Sequence, residues 1–443
     1  MKKILSFYKN YLAGYKNILF SLFNYGLSVL GSSISAILLF LVLIRMLEPE
    51  QYAGIVLVKS LVIILCTIGG LGLSQAAVKW KYSHSDDNEI LSSILLGSAI
   101  SSIFIGLLSN LFLFFLIQET YKNYDFLLFI SVVIMNIMYM QNNELVNWYR
   151  AEQKSLQYAL YNFIRAGLQF TFILYFCLNF NPISGYIYGL LVAEVLLILI
   201  LIKKTKFFVS FNFSLLRKMI TYGIPFAFVN GSSFLINYLD RFLLGFWGSG
   251  ELVAFYDASF LIILGIMGLL IRPFNLYIFP AYTERYKSKG KVSTVEFIVK
   301  MQDYFILAAT VLSIFLIIFK TIILDFLYPP EYLVAESVFL PLIFSTVLKG
   351  VFITCVAGLY ISNKTSSVAL VSILAVLSNV IANAFLIKEF GMIGAAYASA
   401  ISNIVLLALG NIFSQKYINI KFPFIQLILS FTCLYIVDAY FWN

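Results

Sequence analysis

The longest stretches without a charged residue place the tightest constraint on the fold of this chain. Residues 17–44, 90–118 and 166–193 each run 28 or 29 positions without Asp, Glu, Lys or Arg. A helix needs roughly 20 apolar residues to cross a bilayer core, so each stretch can span a membrane. The stretches are continuously apolar rather than alternating, which excludes membrane-spanning strands. The sequence therefore predicts an all-α integral membrane protein.

The composition excludes the soluble alternatives. Of the 443 residues, 61% are hydrophobic and only 12% are charged, about half of the roughly 25% found in soluble domains. A soluble chain of this size could neither bury so much apolar surface nor cover the remainder with so few charges. A cytosolic enzyme, a secreted disulfide scaffold and a disordered chain are therefore excluded.

Twelve membrane-spanning helices are predicted when shorter runs interrupted by one charge are included. A further apolar stretch, 422–441, is expected either to form a thirteenth span or to lie at the membrane interface. The predicted helices are 18–44, 54–78, 90–117, 125–147, 156–180, 183–202, 219–246, 252–278, 302–326, 334–362, 365–388 and 391–415.

Basic residues predict the orientation of these helices. One set of loops and helix ends holds 21 lysines and arginines, and the opposite set holds three: Arg45, Lys122 and Lys388. Loops rich in Lys and Arg stay in the cytoplasm, so we expect a cytoplasmic N-terminus. The net charge of +9 then reflects topology rather than nucleic-acid binding. The first apolar run is too long for a cleaved signal peptide.

Short matches between the two halves indicate an internal repeat. Gly31-Ser32-Ser33 recurs as Gly231-Ser232-Ser233, and Lys154 with Ala159-Leu160 recurs as Lys364 with Ala369-Leu370. Chance similarity is the alternative. Six spans per half is an even number, so both halves start on the same side, related by an axis along the membrane normal with a cleft between them. The predicted division is an N-terminal six-helix bundle at 1–203, a linker at 204–218, a C-terminal six-helix bundle at 219–416 and an extra apolar segment at 417–443.

Charged side chains inside spans are costly and are therefore candidate functional residues. Arg165 and Lys349 lie deepest, and we expect both to face a wet cavity and to bind an anionic headgroup. Replacing either with Ala should abolish transport without lowering protein abundance. The alternative is an internal ion pair, such as Arg165 with Glu194, that only locks helices together. The full set of predicted cavity cations is Arg165, Lys349, Lys59, Arg272 and Arg241.

Three carboxylates are candidates for coupling transport to a proton or sodium ion: Glu194, Asp240 and Asp257. Asp240 is followed by Arg241, but neighbouring helical residues point about 100° apart, so Arg241 can pair elsewhere. No cofactor is expected beyond such an ion.

The start of the seventh predicted helix is a candidate hinge. Gly223, Pro225 and Gly231 each weaken a helix locally, which favours a bend that either moves during transport or stays fixed.

Sequence motifs for metal, thiol or nucleotide chemistry are missing. His84 is the single histidine and lacks a second histidine for a zinc site, and the four cysteines contain no C-x-x-C pair. No P-loop is present either. We therefore expect a non-enzyme with no metal site.

Several motifs resemble those of the oligosaccharide flippases of bacterial surface-polysaccharide synthesis. These belong to the multidrug/oligosaccharidyl-lipid/polysaccharide exporter superfamily. The resemblance rests on the order and spacing of the segments 47–52 (LEPEQY), 70–73 (GLGL), 222–225 (YGIP), 238–245 (YLDRFLLG) and 391–396 (GMIGAA).

The resemblance implies two bundles with twelve or fourteen spans, a central cationic cavity and residence in the bacterial inner membrane. It also implies a substrate: an oligosaccharide repeat unit on undecaprenyl diphosphate, moved by alternating access from the cytoplasmic to the periplasmic leaflet for O-antigen or capsule synthesis. A polysaccharide polymerase is an implied partner.

Three alternatives remain open. A lipid II flippase is close in sequence character, whereas a multidrug exporter of the superfamily would be expected to have an acidic cavity. A polytopic glycosyltransferase or polymerase would need a large extracytoplasmic loop.

Overall fold

The computed structural model describes residues 24, 26–28, 30–81, 86–117, 125–204 and 210–442. Within these residues the structure is helical, with no strand, so the all-α prediction is confirmed. His84, Lys122 and the centre of the predicted linker, 205–209, lie outside the described residues. The helices are α1 Gly26–Met46, α2 Pro49–Gly69, α3 Leu73–Trp80, α4 Asp87–Ile117, α5 Phe126–Ala151, α6 Ser155–Asn179, α7 Pro182–Lys204, α8 Phe213–Trp247, α9 Gly250–Leu327, a 3-10 helix Pro330–Val338, α10 Phe339–Cys355, α11 Ala357–Ile361, α12 Thr365–Gln415 and α13 Phe424–Trp442.

The chain forms two compact units whose boundaries differ from the predicted division. Unit 1 contains the described residues up to Phe40 together with Gly69–Ile224, and unit 2 contains Leu41–Ile68 together with the described residues from Pro225 onward. Helix α2 therefore belongs to unit 2, although it precedes most of unit 1 in the sequence. Long-range contacts hold it there, because Lys59 and Tyr52 of α2 both bind Asp257 of α9.

The single helix predicted at 54–78 is two helices in the structure. Helix α2 ends at Gly69, and the backbone then takes positive φ angles at Leu71 (50°) and Gly72 (66°). Residues with side chains rarely adopt this left-handed region, whereas glycine adopts it freely. The GLGL segment therefore breaks the helix rather than continuing it.

Helices α9 and α12 each contain two predicted spans. Helix α9 covers 78 residues but consists of two helices, 250–289 and 291–327, that meet at a kink, and each is long enough to cross a bilayer core. Its one residue with non-helical backbone angles is Gly290, with φ 77° and ψ −177°. The polar connection predicted at 281–300 is thus helical apart from this glycine. Helix α12 has a corresponding break at Gly391, with φ 54°.

The turns that lead into α6 and α12 share one backbone conformation, 210 positions apart. Gln153 and Asn363 have φ angles of 58° and 56°. The amides of Lys154 and Lys364, which follow them, each donate over 2.8 Å to the carbonyl five residues earlier. Two turns with the same conformation, 210 positions apart, are expected if the chain contains an internal repeat.

Helix α13 lies along the second half of α9. Hydrogen bonds join Gln426 to Asp303 (3.1 Å) and Ser430 to Thr310 (2.7 Å), and Lys320 pairs with Asp438 (2.7 Å). Along these contacts the residue numbers of α9 and of α13 increase in the same direction, so the two helices are parallel. The segment predicted either to span or to lie at the interface is thus a helix of 19 residues, about 28 Å long, that follows a neighbouring span.

Candidate functional site

Arg165 of α6 forms an ion pair inside unit 1. Its Nε donates to Oε1 of Glu194 on α7 over 2.8 Å, and its Nη1 donates to Oδ1 of Asn143. Glu194 is fully buried and also accepts hydrogen bonds of 2.7 Å from Gln169 and from Asn142. The alternative considered from the sequence, an internal ion pair, is therefore what the structure contains. Arg165 carries no uncompensated charge here.

Two further predicted cavity cations share one carboxylate in unit 2. Asp257 accepts from Lys59 over 3.1 Å and from Nη2 of Arg241 over 3.0 Å, while the Tyr52 hydroxyl donates to it over 3.0 Å. The Arg241 side chain is fully buried, and its guanidinium lies 4.1 Å from the ring centre of Phe260. Lys59 and Arg241 are thus held in the interior of the unit by ion pairs.

Asp240 lies next to Arg241 in the sequence but has neutral partners. Its carboxylate accepts from the hydroxyls of Tyr256 (2.7 Å) and Ser399 (2.5 Å) and from Nδ2 of Asn383 (3.0 Å). The residue is fully buried, and it has no ion pair with any residue that the structure describes. Asp240 thus differs from Glu194 and Asp257 in having no direct ion pair among the described residues, although it interacts electrostatically with the neighbouring Arg241.

Lys349 is held by an amide rather than a carboxylate. Its Nζ donates to Oδ1 of Asn237 on α8 over 2.7 Å, and no carboxylate of the described chain lies within ion-pair distance. The side chain is partly buried on α10. Asn237 also accepts a hydrogen bond from Arg241 through its backbone carbonyl. Arg272, the remaining predicted cation, is exposed on α9.

The candidate hinge glycines lie at close backbone contacts. A Cβ on Gly223 would lie 2.3 Å from the carbonyl oxygen of Leu71, and one on Gly72 would lie 2.1 Å from that of Gly223. A Cβ on Gly231 would lie 2.7 Å from a side-chain carbon of Ile68. Helix α8 continues through Pro225, where unit 2 begins, without a residue of non-helical backbone angles.

Sequence reasoning missed the neutral hydrogen-bond partners of Lys349 and Asp240, and it missed the buried carboxylate of Glu144. Asn237 and Asn383 are polar residues in apolar stretches, and that position is the signal by which they could have been found. Glu144 lies within the predicted helix 125–147 and is buried at 7% exposure, with one carboxylate oxygen lacking a hydrogen bond within the described residues.

Two curated proteins are similar to this chain in sequence. An uncharacterized membrane protein of Methanocaldococcus jannaschii is 23% identical over 414 residues, which are 84% of this chain and 80% of that protein. The probable low-salt glycan biosynthesis flippase Agl15 of Haloferax volcanii is 22% identical over 217 residues, 49% of this chain and 46% of that protein.

Two solved structures are similar in fold. The lipid II flippase MurJ, in an inward closed conformation, has a TM-score of 0.72 at 14% identity, covering 95% of this chain and 93% of its own. A multidrug resistance MATE family transporter of the MOP superfamily, in an inward-facing conformation, has a TM-score of 0.63 at 17% identity. The match covers 93% of this chain and 95% of the transporter chain. Both likenesses concern the fold.

The sequence profile of one protein family covers more than half of the chain. It is described as "Polysaccharide biosynthesis protein", and it matches residues 18–286. That span includes α1 to α8, the Arg165–Glu194 pair and the ion pairs of Asp257. This match confirms the resemblance found in the motifs, and the chain belongs to the polysaccharide biosynthesis protein family.

Proposed function

We propose that this protein is a flippase for a lipid-linked oligosaccharide. It moves an oligosaccharide repeat unit on undecaprenyl diphosphate from the cytoplasmic to the outer leaflet of the cytoplasmic membrane by alternating access. The product feeds the synthesis of a surface polysaccharide such as O-antigen or capsule. The N-terminus lies in the cytoplasm, in keeping with the distribution of Lys and Arg.

The observation that carries the proposal is the state of Lys349. Burying an ammonium within a membrane span without a counter-charge is costly, and the other cations of the described spans that form ion pairs avoid that cost. Among the residues that the structure describes, Lys349 has only the Asn237 amide oxygen as a hydrogen-bond partner. A diphosphate would supply the missing negative charge through charge-assisted hydrogen bonds.

The relatives support the same class of substrate. One is named a probable glycan biosynthesis flippase, and another is named a lipid II flippase. A multidrug exporter of the superfamily is the second candidate, because the MATE structure also shares the fold. We expect an acidic site in an exporter of cationic drugs, and the partly buried cation Lys349 favours the anionic lipid instead.

Coupling to an ion is assigned to Asp240 among the three predicted carboxylates. Glu194 and Asp257 already neutralise arginine or lysine side chains. Asp240 is surrounded by hydroxyl and amide groups. A proton or a sodium ion can therefore bind Asp240 without displacing a cation from a direct ion pair.

A complementation experiment in cells tests the proposal. Cells that lack the gene should accumulate a lipid-linked oligosaccharide on the cytoplasmic side and lose the surface polysaccharide. Wild-type protein and Lys349→Arg should restore export, and Lys349→Ala should not, although it is present at normal abundance. Lys388→Ala, which removes an exposed cation, serves as the control. Full export with Lys349→Ala, or no accumulated lipid-linked glycan, would overturn the proposal.

A further inference from the structure

Unit 2 contains a cavity that none of the predicted site residues lines. Its volume is about 190 Å³, and it lies among α8, α9, α10, α11 and the start of α12. Ligand pockets for drug-sized molecules usually measure about 300–1,000 Å³. This cavity therefore has room for one ring-sized group and not for a whole oligosaccharide.

The cavity wall is mostly apolar and aromatic, with five uncharged polar groups set into it. The polar groups are two carboxamides, two phenol hydroxyls and a threonine hydroxyl, and none of these groups has a side-chain hydrogen bond to a described residue. Phe279 packs edge-on against Tyr282 and Tyr360, with ring centres 5.6 and 5.5 Å away. The polar side chains are Asn230, Asn275, Tyr282, Tyr360 and Thr365.

These features select a class of occupant. No Lys, Arg, Asp or Glu lines the cavity, so a phosphate would gain no counter-charge there. A polyprenyl tail would cover two carboxamides without satisfying them, which is unfavourable. A neutral sugar ring satisfies both requirements, because its hydroxyls donate and accept hydrogen bonds and its C–H face packs against the negative face of an aromatic ring.

The cavity lies close to Lys349 along two helices. Asn230 precedes Asn237, the partner of Lys349, by seven residues on α8, which is two turns or about 10 Å on one face. Ile353, which lines the cavity, follows Lys349 by four residues on α10 and so lies one turn away on its face. The cavity and Lys349 are therefore neighbours in unit 2.

Helix α9 repeats this arrangement. Asn275 and Phe279 line the cavity and follow the exposed Arg272 by three and seven residues, on the same helix face. Three helices thus place a cation, or the partner of one, within one or two turns of the cavity.

We propose that this cavity binds the sugar that is attached directly to the diphosphate, while Lys349 binds the diphosphate. The inference rests on the proposed function and adds a recognition site for the glycan to it. In a lipid-linked oligosaccharide the first sugar follows the diphosphate immediately, which matches the spacing of one to two helical turns. The cavity then distinguishes a lipid that carries a glycan from the bare carrier.

Binding to purified protein in lipid nanodiscs tests the inference. The probes are undecaprenyl diphosphate alone and undecaprenyl diphosphate carrying one N-acetylglucosamine, N-acetylgalactosamine, glucose or galactose. The wild type should bind at least one glycosylated probe about tenfold more tightly than the bare lipid, a difference that one or two hydrogen bonds can provide.

Variants separate the cavity from the cation. Tyr360→Phe and Asn275→Leu should each reduce that preference by about fivefold, the effect of one lost hydrogen bond, and leave binding of the bare lipid unchanged. Lys349→Ala should weaken both probes by the same factor. Tyr304→Phe, which removes a hydroxyl from an exposed tyrosine outside the cavity, is the control and should change neither.

Two results would overturn the sugar site: a wild type that binds no glycosylated probe more tightly than the bare lipid, or cavity variants that keep the full preference. Unchanged binding of the bare lipid by Lys349→Ala would instead contradict the proposed function. The two failures are therefore distinguishable.

Discussion

At the scale of single residues, the described spans compensate most of their buried charge internally. Glu194 neutralises Arg165, and Asp257 serves both Lys59 and Arg241. Removing one member of such a pair leaves an uncompensated charge in a medium of low dielectric constant, at a cost of about 3–5 kcal/mol. Lys349 departs from this pattern, which is why it carries the functional proposal.

The first prediction concerns Arg165. Because the structure pairs Arg165 with Glu194, we expect Arg165→Ala to destabilise unit 1 by about 3 kcal/mol and to lower protein abundance. This differs from the expectation from sequence, in which protein abundance stays normal. The double variant Arg165→Met with Glu194→Gln should recover most of the thermal stability in detergent. Normal abundance of Arg165→Ala together with lost transport would contradict the structural role.

A second prediction compares two aspartates of unit 2. Asp257→Asn leaves both Lys59 and Arg241 without a counter-charge and should reduce stability by about 3 kcal/mol or more. Asp240→Asn removes a carboxylate that forms no direct ion pair with a described residue, so protein abundance should persist while the dependence of transport on proton or sodium concentration changes. Membrane abundance and transport in varied ionic gradients provide the two measurements. Equal losses of abundance in both variants would argue against this division of roles.

At the scale of elements, glycines determine where helices break and where they meet. Gly72 has a left-handed backbone conformation and immediately precedes α3. Because it has no side chain, it also leaves room for the carbonyl of Gly223 on α8. Gly290 and Gly391 separate the two halves of α9 and of α12. The candidate hinge is thus a site of close packing.

The matching prediction uses two glycines in different surroundings. In Gly223→Ala the new Cβ would meet the Leu71 carbonyl at 2.3 Å, so the helix must shift at a cost of about 1–3 kcal/mol. Gly167→Ala in α6 meets nothing within 4 Å and should stabilise the helix by up to about 1 kcal/mol. Thermal unfolding of the purified variants measures both effects, and equal stability of the two would contradict the packing.

The sequence predicted the elements better than their connections. Uncharged runs located each long helix, because the bilayer imposes a minimum apolar length. They could not locate the breaks, because helices that continue past the membrane, as α9 does, remain helical in polar sequence. The pairing of Arg165 with Glu194 was foreseen as an alternative from their depth in adjacent spans. The sequence did not predict that Lys59 and Arg241 share Asp257. This arrangement depends on α2 packing in unit 2, whereas the helices that follow α2 in the sequence pack in unit 1.

Helix α13 gives a further prediction at this scale. Since it runs parallel to the second half of α9, its C-terminal end should face the same side of the membrane as the end of α9. In a variant without the four native cysteines, Tyr440→Cys and Glu331→Cys should be labelled by an impermeant reagent from one side, and Lys421→Cys from the other. Labelling of all three from one side would mean that α13 does not span.

At the scale of the whole molecule, the chain passes from one unit to the other at three points, after Phe40, Ile68 and Ile224. The third point precedes Pro225 and follows Gly223, the candidate hinge. Glu194 balances Arg165 in unit 1, and in unit 2 the two carboxylates of Asp257 and Asp240 together balance Lys59 and Arg241. Among the described residues, Lys349 has no carboxylate within ion-pair distance and is left for an anionic partner. The central claim is therefore that this lysine binds the diphosphate of the transported lipid.

Transport by purified protein in liposomes tests that claim most directly. The measurement is the rate at which an undecaprenyl-diphosphate-linked oligosaccharide, isolated from cells lacking the gene, becomes accessible to a glycosidase on the other side. Lys349→Ala should reduce this rate at least about tenfold, the effect of losing one charge-assisted hydrogen bond, and Lys349→Arg should retain most of it. An unchanged rate for Lys349→Ala, in protein as stable as the wild type, would contradict the account.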